Sequence, residues 1–72
     1  MTRSWLVQAR KEKMLSQRDL GNLVGVTETS VQAWEKGLFT PYPRHQRALC
    51  EVLEIDVRSH LEAETSLKQG VA

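Results

Sequence analysis

Apolar residues recur along this 72-residue chain at helical spacing, and each periodic run ends in caps or turn residues. Leu6, Ala9 and Arg10 fall on one side of a first helix, with Trp5 beside them; Ser4 is placed to cap it, and it runs to about Lys13. Ser16 reads as the N-cap of a second helix. Asp19, three residues on, forms a capping box with Asp in place of Glu. Leu20, Leu23 and Val24 fall at i, i+3 and i+4 on its apolar face. Gly25 can take the left-handed conformation that ends a helix, and Val26 supplies the apolar contact beyond it. Thr27 opens a third helix over about 27–36, with Val31, Trp34 and Glu35 inward and Gly37 as its stop.

The prolines of the 38–43 loop forbid helix until Pro43, which suits a first helical position. A fourth helix then reaches about Glu54, with Leu49 and Leu53 inward and Cys50 and Val52 flanking. Asp56 caps a short fifth helix that turns Val57 and Leu61 inward. From Glu62 to Ala72 apolar periodicity is weak, which predicts a flexible C-terminal tail after a domain of residues 1–61. No alternating strand pattern occurs, so the pattern predicts an all-α domain of five helices.

Composition narrows the function classes. No apolar run approaches the length of a membrane span, and Met1-Thr2-Arg3-Ser4 does not lead into a signal-peptide core. The simplest location is cytoplasmic. The single Cys excludes an internal disulfide and a Cys-based zinc cluster. His45 and His60 lack Cys or carboxylate partners at metal-ligand spacing, and surface positions are expected for both. Cys50 reads as a buried structural thiol. No nucleophile, base and orienting group stand together, and no glycine-rich phosphate loop follows a strand. An enzyme, a metal, a cofactor and a small-molecule ligand are therefore not expected.

The net charge is only +1, but its distribution is uneven. Residues 1–18 carry Arg3, Arg10, Lys11, Lys13 and Arg18 against Glu12, while residues 51–72 carry five anions against two cations. Such a gradient presents a basic end to phosphates, or is an accident of ordinary surface charges.

Two short capped helices with a Gly turn between them form a unit that can aim a helix into a DNA groove. On the third helix, Thr29, Gln32, Ala33 and Lys36 point away from the apolar face, with Glu28 on a flank. These side chains are small or hydrogen-bonding. They suit either a groove-reading face or a solvated one.

The segment Leu15-Ser16-Gln17 at the start of helix two and Trp34-Glu35-Lys36-Gly37 at the end of helix three closely resembles the helix-turn-helix of the Cro and phage-repressor family of bacterial DNA-binding domains. The resemblance covers roughly residues 3–61, with Leu6, Arg10, Leu20, Gly25, Val31, Pro41, Leu49, Leu53, Ile55 and Leu61 among the matching positions. It implies a compact five-helix bundle whose third helix enters the major groove, usually as a two-fold dimer on a palindromic site. Repression is the commoner mode among relatives.

Carried over by position, the resemblance assigns Thr27, Glu28, Thr29 and Ala33 to base edges, with Gln32 beside them. Glu can accept from a cytosine amino group, Gln can bridge adenine, and Thr and Ala methyls can touch a thymine methyl. Gln17 matches a glutamine whose side chain and backbone N–H hold a phosphate and whose amide can brace the third helix; a helix N-terminus suits that task. Ser16, Arg18, Asn22, Lys36, Thr40 and Arg44 complete the phosphate-contacting set. Relatives also join the positions of Arg10 and Glu35 by an ion pair.

The chain departs from the family pattern at several points. Glu28 brings a negative charge to the groove-facing end, and Gly21 stands where Ala is usual, costing up to about 1 kcal/mol in helix propensity. His45 and Gln46 add polarity to the start of helix four, and the 38–43 loop is apolar. These features leave a second reading, a protein-interaction adaptor or antitoxin-like module on the same fold, using Phe39, Tyr42 and the tail. For the dimer contact the expected residues are Leu38, Phe39, Tyr42, Val57, Arg58 and Leu61.

Overall fold

Caps that are visible in the sequence place the two central helices. The computed structural model describes the backbone of residues 2–71 and side chains through residue 64. Its helices are α1 (Ser4–Glu12), α2 (Gln17–Val24), α3 (Glu28–Lys36), α4 (Pro43–Leu53) and α5 (Val57–Val71). No strand occurs among the described residues.

The Ser16 hydroxyl accepts from the Asp19 N–H at 2.9 Å, and the Asp19 carboxylate accepts from the Ser16 N–H at 3.1 Å, closing the capping box. That N–H is the main reason the Asp19 carboxyl lies below its ordinary range. Gly25 (φ 91°) and Gly37 (φ 77°) end α2 and α3 in the left-handed region, where a Cβ is penalised. Pro43 occupies the first turn of α4, and Asp56 caps α5 by accepting from the Ser59 N–H at 3.1 Å.

Leu6, Leu20, Val31, Leu49 and Val57 are fully buried and form the centre of the core, which Ala9, Trp34, Leu53 and Leu61 complete. Helix α2 packs mainly on α3 and also on α4, α4 packs on α5, and α1 leans on α3. This arrangement fixes one flank of α3 and leaves the other outward.

The structure corrects the sequence-based picture of the helices in four places. Arg3, not Ser4, is the N-cap of α1, and no side-chain hydrogen bond caps it. Leu23 is 58% exposed. The inward arc of α2 runs from Leu20 through Val24 to Gly21, and Leu23 falls on the other side of Leu20, outside it. Helix α5 continues past Leu61, where a tail was expected to begin, and Glu64 is bonded back to Arg3. The side chains of 65–72, the rest of that expected tail, lie outside the described residues. Finally, Val57 and Leu61 belong to the core, so neither supplies the surface contact expected of it.

Gly21 acquires a reason that helix propensity does not give. A Cβ there would stand 2.8 Å from the Val26 carbonyl oxygen and 3.2 Å from the Thr27 carbonyl carbon, both backbone atoms of the α2–α3 turn. Gly21→Ala gains up to about 1 kcal/mol of helix propensity. Overpacking against backbone costs about 1–3 kcal/mol. The expected net result is a lowered denaturant midpoint, and an unchanged or raised one would show that the turn yields freely.

Met14 adopts φ 57° while remaining 91% exposed, so strain at this turn is not offset by packing. Relief of the left-handed penalty should outweigh the added unfolded-chain freedom, so Met14→Gly is expected to stabilise by about 0.5–1 kcal/mol in thermal unfolding.

Candidate nucleic-acid interface

The third helix is held from behind. Val31, Trp34 and Glu35 are buried, and Glu35 receives donors from two other helices. Arg10 Nε on α1 donates to Glu35 Oε2 at 2.6 Å, and its Nη2 to Oε1 at 3.3 Å. Gln17 Nε2 at the start of α2 donates to Oε1 at 2.9 Å. Arg10 Nη1 is also used, donating to the Leu15 carbonyl at 2.8 Å. The expected ion pair is therefore formed, and Gln17 braces α3 through it.

On the outward side, Thr27, Glu28, Thr29 and Lys36 are exposed, whereas Gln32 and Ala33 are half-buried. The Thr27 hydroxyl is engaged locally, accepting from the Ser30 N–H and donating to its hydroxyl, each at 3.2 Å. Glu28 sits in the first turn, where a negative side chain complements the helix dipole. Thr29 and Ala33 line one wall of a cleft of about 350 Å³ that Phe39, Tyr42 and His45 close on the loop side, with Trp34 among its lining residues.

Among the residues expected at phosphate, Arg18 and Asn22 on α2, Lys36 on α3 and Arg44 on α4 are exposed. Ser16 and Thr40 are exposed but committed. Ser16 forms the α2 cap, and Thr40 Oγ1 accepts from Arg3 Nη2 at 3.1 Å. The Arg44 guanidinium lies 5.8 Å from the centre of the Tyr42 ring, within cation–π range. Leu38, Phe39 and Tyr42 are each about two-thirds exposed.

The basic N-terminal stretch is not a basic surface. Arg3 and Arg10 are buried, and Lys13 pairs with Glu54 across the domain, which leaves Lys11 and Arg18 as its outward cations. Burial requires partners for such charges, and both arginines have them. The expected histidine surfaces hold for His60, which stacks on Trp5 at 4.5 Å between ring centres. His45 is half-buried instead, 5.5 Å from Trp34 and 6.1 Å from Tyr42, because it turns into the cleft. Cys50 is half-buried rather than fully enclosed. Among the described residues, no group of three or more His, Cys, Asp or Glu is placed to hold a metal ion, and no helix is long and apolar enough to cross a membrane.

Sequence reasoning passed over Arg3, Trp5 and Glu64 as a group. Arg3 lies 61 residues from Glu64, so no local spacing links them. Against known proteins, a family model described as helix-turn-helix matches residues 6–59, three-quarters of the chain. No curated protein and no solved structure matches it.

Proposed function

The chain belongs to the helix-turn-helix family of the Cro and phage-repressor type, a family of DNA-binding regulators, and on that premise we propose that it is a sequence-specific transcriptional repressor that reads the major groove with α3. The observation that carries this reading is the two-sided nature of α3. One side is locked to α1 and α2 through Glu35, while Thr27, Glu28, Thr29 and Lys36 stand outward with Gln32 and Ala33 at their border. A rigidly backed helix with short polar side chains outward suits base edges.

In this reading Glu28, Thr29, Gln32 and Ala33 meet bases, Thr27 closes the helix end, and Arg18, Asn22, Lys36 and Arg44 meet phosphates. Gln17 contributes its backbone N–H at the α2 N-terminus, since its amide is given to Glu35. So few outward cations make phosphate binding modest per copy, which favours two copies on one duplex. The exposed Leu38, Phe39 and Tyr42, with Arg58, then form the contact between copies. Two third helices so related meet successive major grooves about 34 Å apart. A cytoplasmic location belongs to the same reading.

Selection from random duplexes, followed by retardation at low and moderate salt, tests it. The expected result is a pseudo-palindrome longer than one helical turn, bound with a steep salt dependence. Enrichment of no sequence would overturn it in favour of a protein-interaction module, whose surface would be the same exposed loop.

A further inference from the structure

Arg3 is a buried cation for which groove reading by α3 has no direct use. It is only 6% exposed. Its backbone N–H donates to the Glu35 carbonyl at 2.6 Å. Nη1 donates to the carbonyls of Trp34 and Phe39 at 2.7 and 2.8 Å, and Nη2 to Thr40 Oγ1. Trp34 and Glu35 belong to the last turn of α3, where the Trp34 carbonyl accepts only the capping Gly37 N–H from the chain's own helix end, at 3.1 Å, and a positive charge is favoured. Arg3 thus caps α3 and holds the following loop with one side chain.

What aims this side chain is Glu64 on α5. Arg3 Nε lies 3.1 Å from both Glu64 oxygens, and Glu64 Oε2 also accepts from Trp5 Nε1 at 2.9 Å. A guanidinium is a rigid planar fork, so fixing its Nε edge on a carboxylate fixes where Nη1 and Nη2 point. The loop is otherwise tied near its ends, by Leu38 N–H to the Ala33 carbonyl at 3.0 Å and by Gln46 Nε2 to the Pro41 carbonyl at 2.9 Å. Arg3 grips the stretch between them.

We propose that Glu64 is a positioning residue. Through Arg3 it fixes the end of α3 and the loop at 38–40, so that the docking of two copies through this loop, and with it the affinity for the duplex, is set from α5. The DNA part rests on the function proposed above; the positioning part does not. Such a relay gives α5, which carries no residue of the reading face, control over the element that follows the reading helix.

The test compares the full chain with Glu64→Gln and with Trp5→Phe, which removes the indole N–H together with part of the ring that stacks on His60. Amide exchange is followed by NMR, and affinity is measured on the duplex that the unmodified protein selects. In Glu64→Gln the Gly37 and Leu38 amides are expected to exchange about tenfold faster while those of Leu20 and Leu49 in the core do not change. Affinity for the selected duplex should fall about tenfold, the scale of one lost charge-assisted hydrogen bond. Trp5→Phe should shift both readouts in the same direction by less. Unchanged exchange at Gly37 and Leu38, or equal acceleration throughout the core, overturns the positioning role. Faster loop exchange with unaltered affinity overturns its link to DNA. Failure of the unmodified protein to select any duplex would instead sink the proposed function, with the exchange comparison still deciding the role of Glu64.

Discussion

Glu35→Ala is expected to destabilise the domain by about 3–5 kcal/mol, the range for removing one member of a buried pair. The carboxylate is 5% exposed and accepts three hydrogen bonds, two from Arg10 and one from Gln17. Its loss strands a guanidinium that is itself 11% exposed, with only the Leu15 carbonyl still bonded. A chain of this size has roughly 4–11 kcal/mol of stability in all, so a large part of it would be gone. The pair orients α1, α2 and α3 relative to each other, but its net worth against an apolar filling is small. Arg10→Met combined with Glu35→Leu should therefore recover much of what Glu35→Ala loses. Denaturant titration of the three proteins decides the matter. A single-variant loss within about 0.5 kcal/mol, the scale of ordinary surface substitutions, would mean that the charge pair is not formed in solution.

The legibility of this fold followed the range of the interactions involved. The caps at Ser16, Thr27, Gly25 and Gly37 act within four residues, and the sequence located all of them. The inward face of α3 was equally plain, because Val31, Trp34 and Glu35 share one side at helical spacing. Leu23 was misplaced because two arcs of α2 satisfy an apolar pattern, and the close approach at Gly21 chose between them. That approach depends on the α2–α3 turn, where spacing alone does not reveal a 2.8 Å limit. Arg3 was read as a surface cation since its partners, Trp34, Phe39, Thr40 and Glu64, are scattered over the later half of the chain. The expected tail boundary failed for the same reason. Polar Glu64 offers no apolar periodicity, yet Arg3 and Trp5 tie it to the domain. Of the candidate interface, the outward set on α3 and the inward place of Arg10 were legible, whereas the burial of Arg3 was not.

Thr29→Asp is expected to abolish specific DNA binding without weakening the fold. Thr29 is exposed in the first turn of α3, and its side chain appears in none of the contacts that hold α3 to the core. Aspartate at such a position complements the positive end of the helix dipole, which is worth about 0.3–1 kcal/mol to stability. On the proposed reading the same charge enters a groove flanked by phosphates, beside Glu28, which is already negative. Juxtaposed like charges cost several kcal/mol in association, and each 1.4 kcal/mol is a factor of about ten in affinity. The expected loss on the selected duplex is therefore about 100-fold or more, while the thermal midpoint stays the same or rises. Opposite signs in the two measurements separate a binding role from a structural one, which most substitutions on a short helix do not do. Raising the salt should narrow the gap between the variant and the unmodified protein, because phosphate repulsion is screened over roughly 10 Å at 0.1 M. Retained affinity in the variant, with its stability unchanged, would remove α3 from the DNA interface and shift attention to the exposed loop at Leu38, Phe39 and Tyr42.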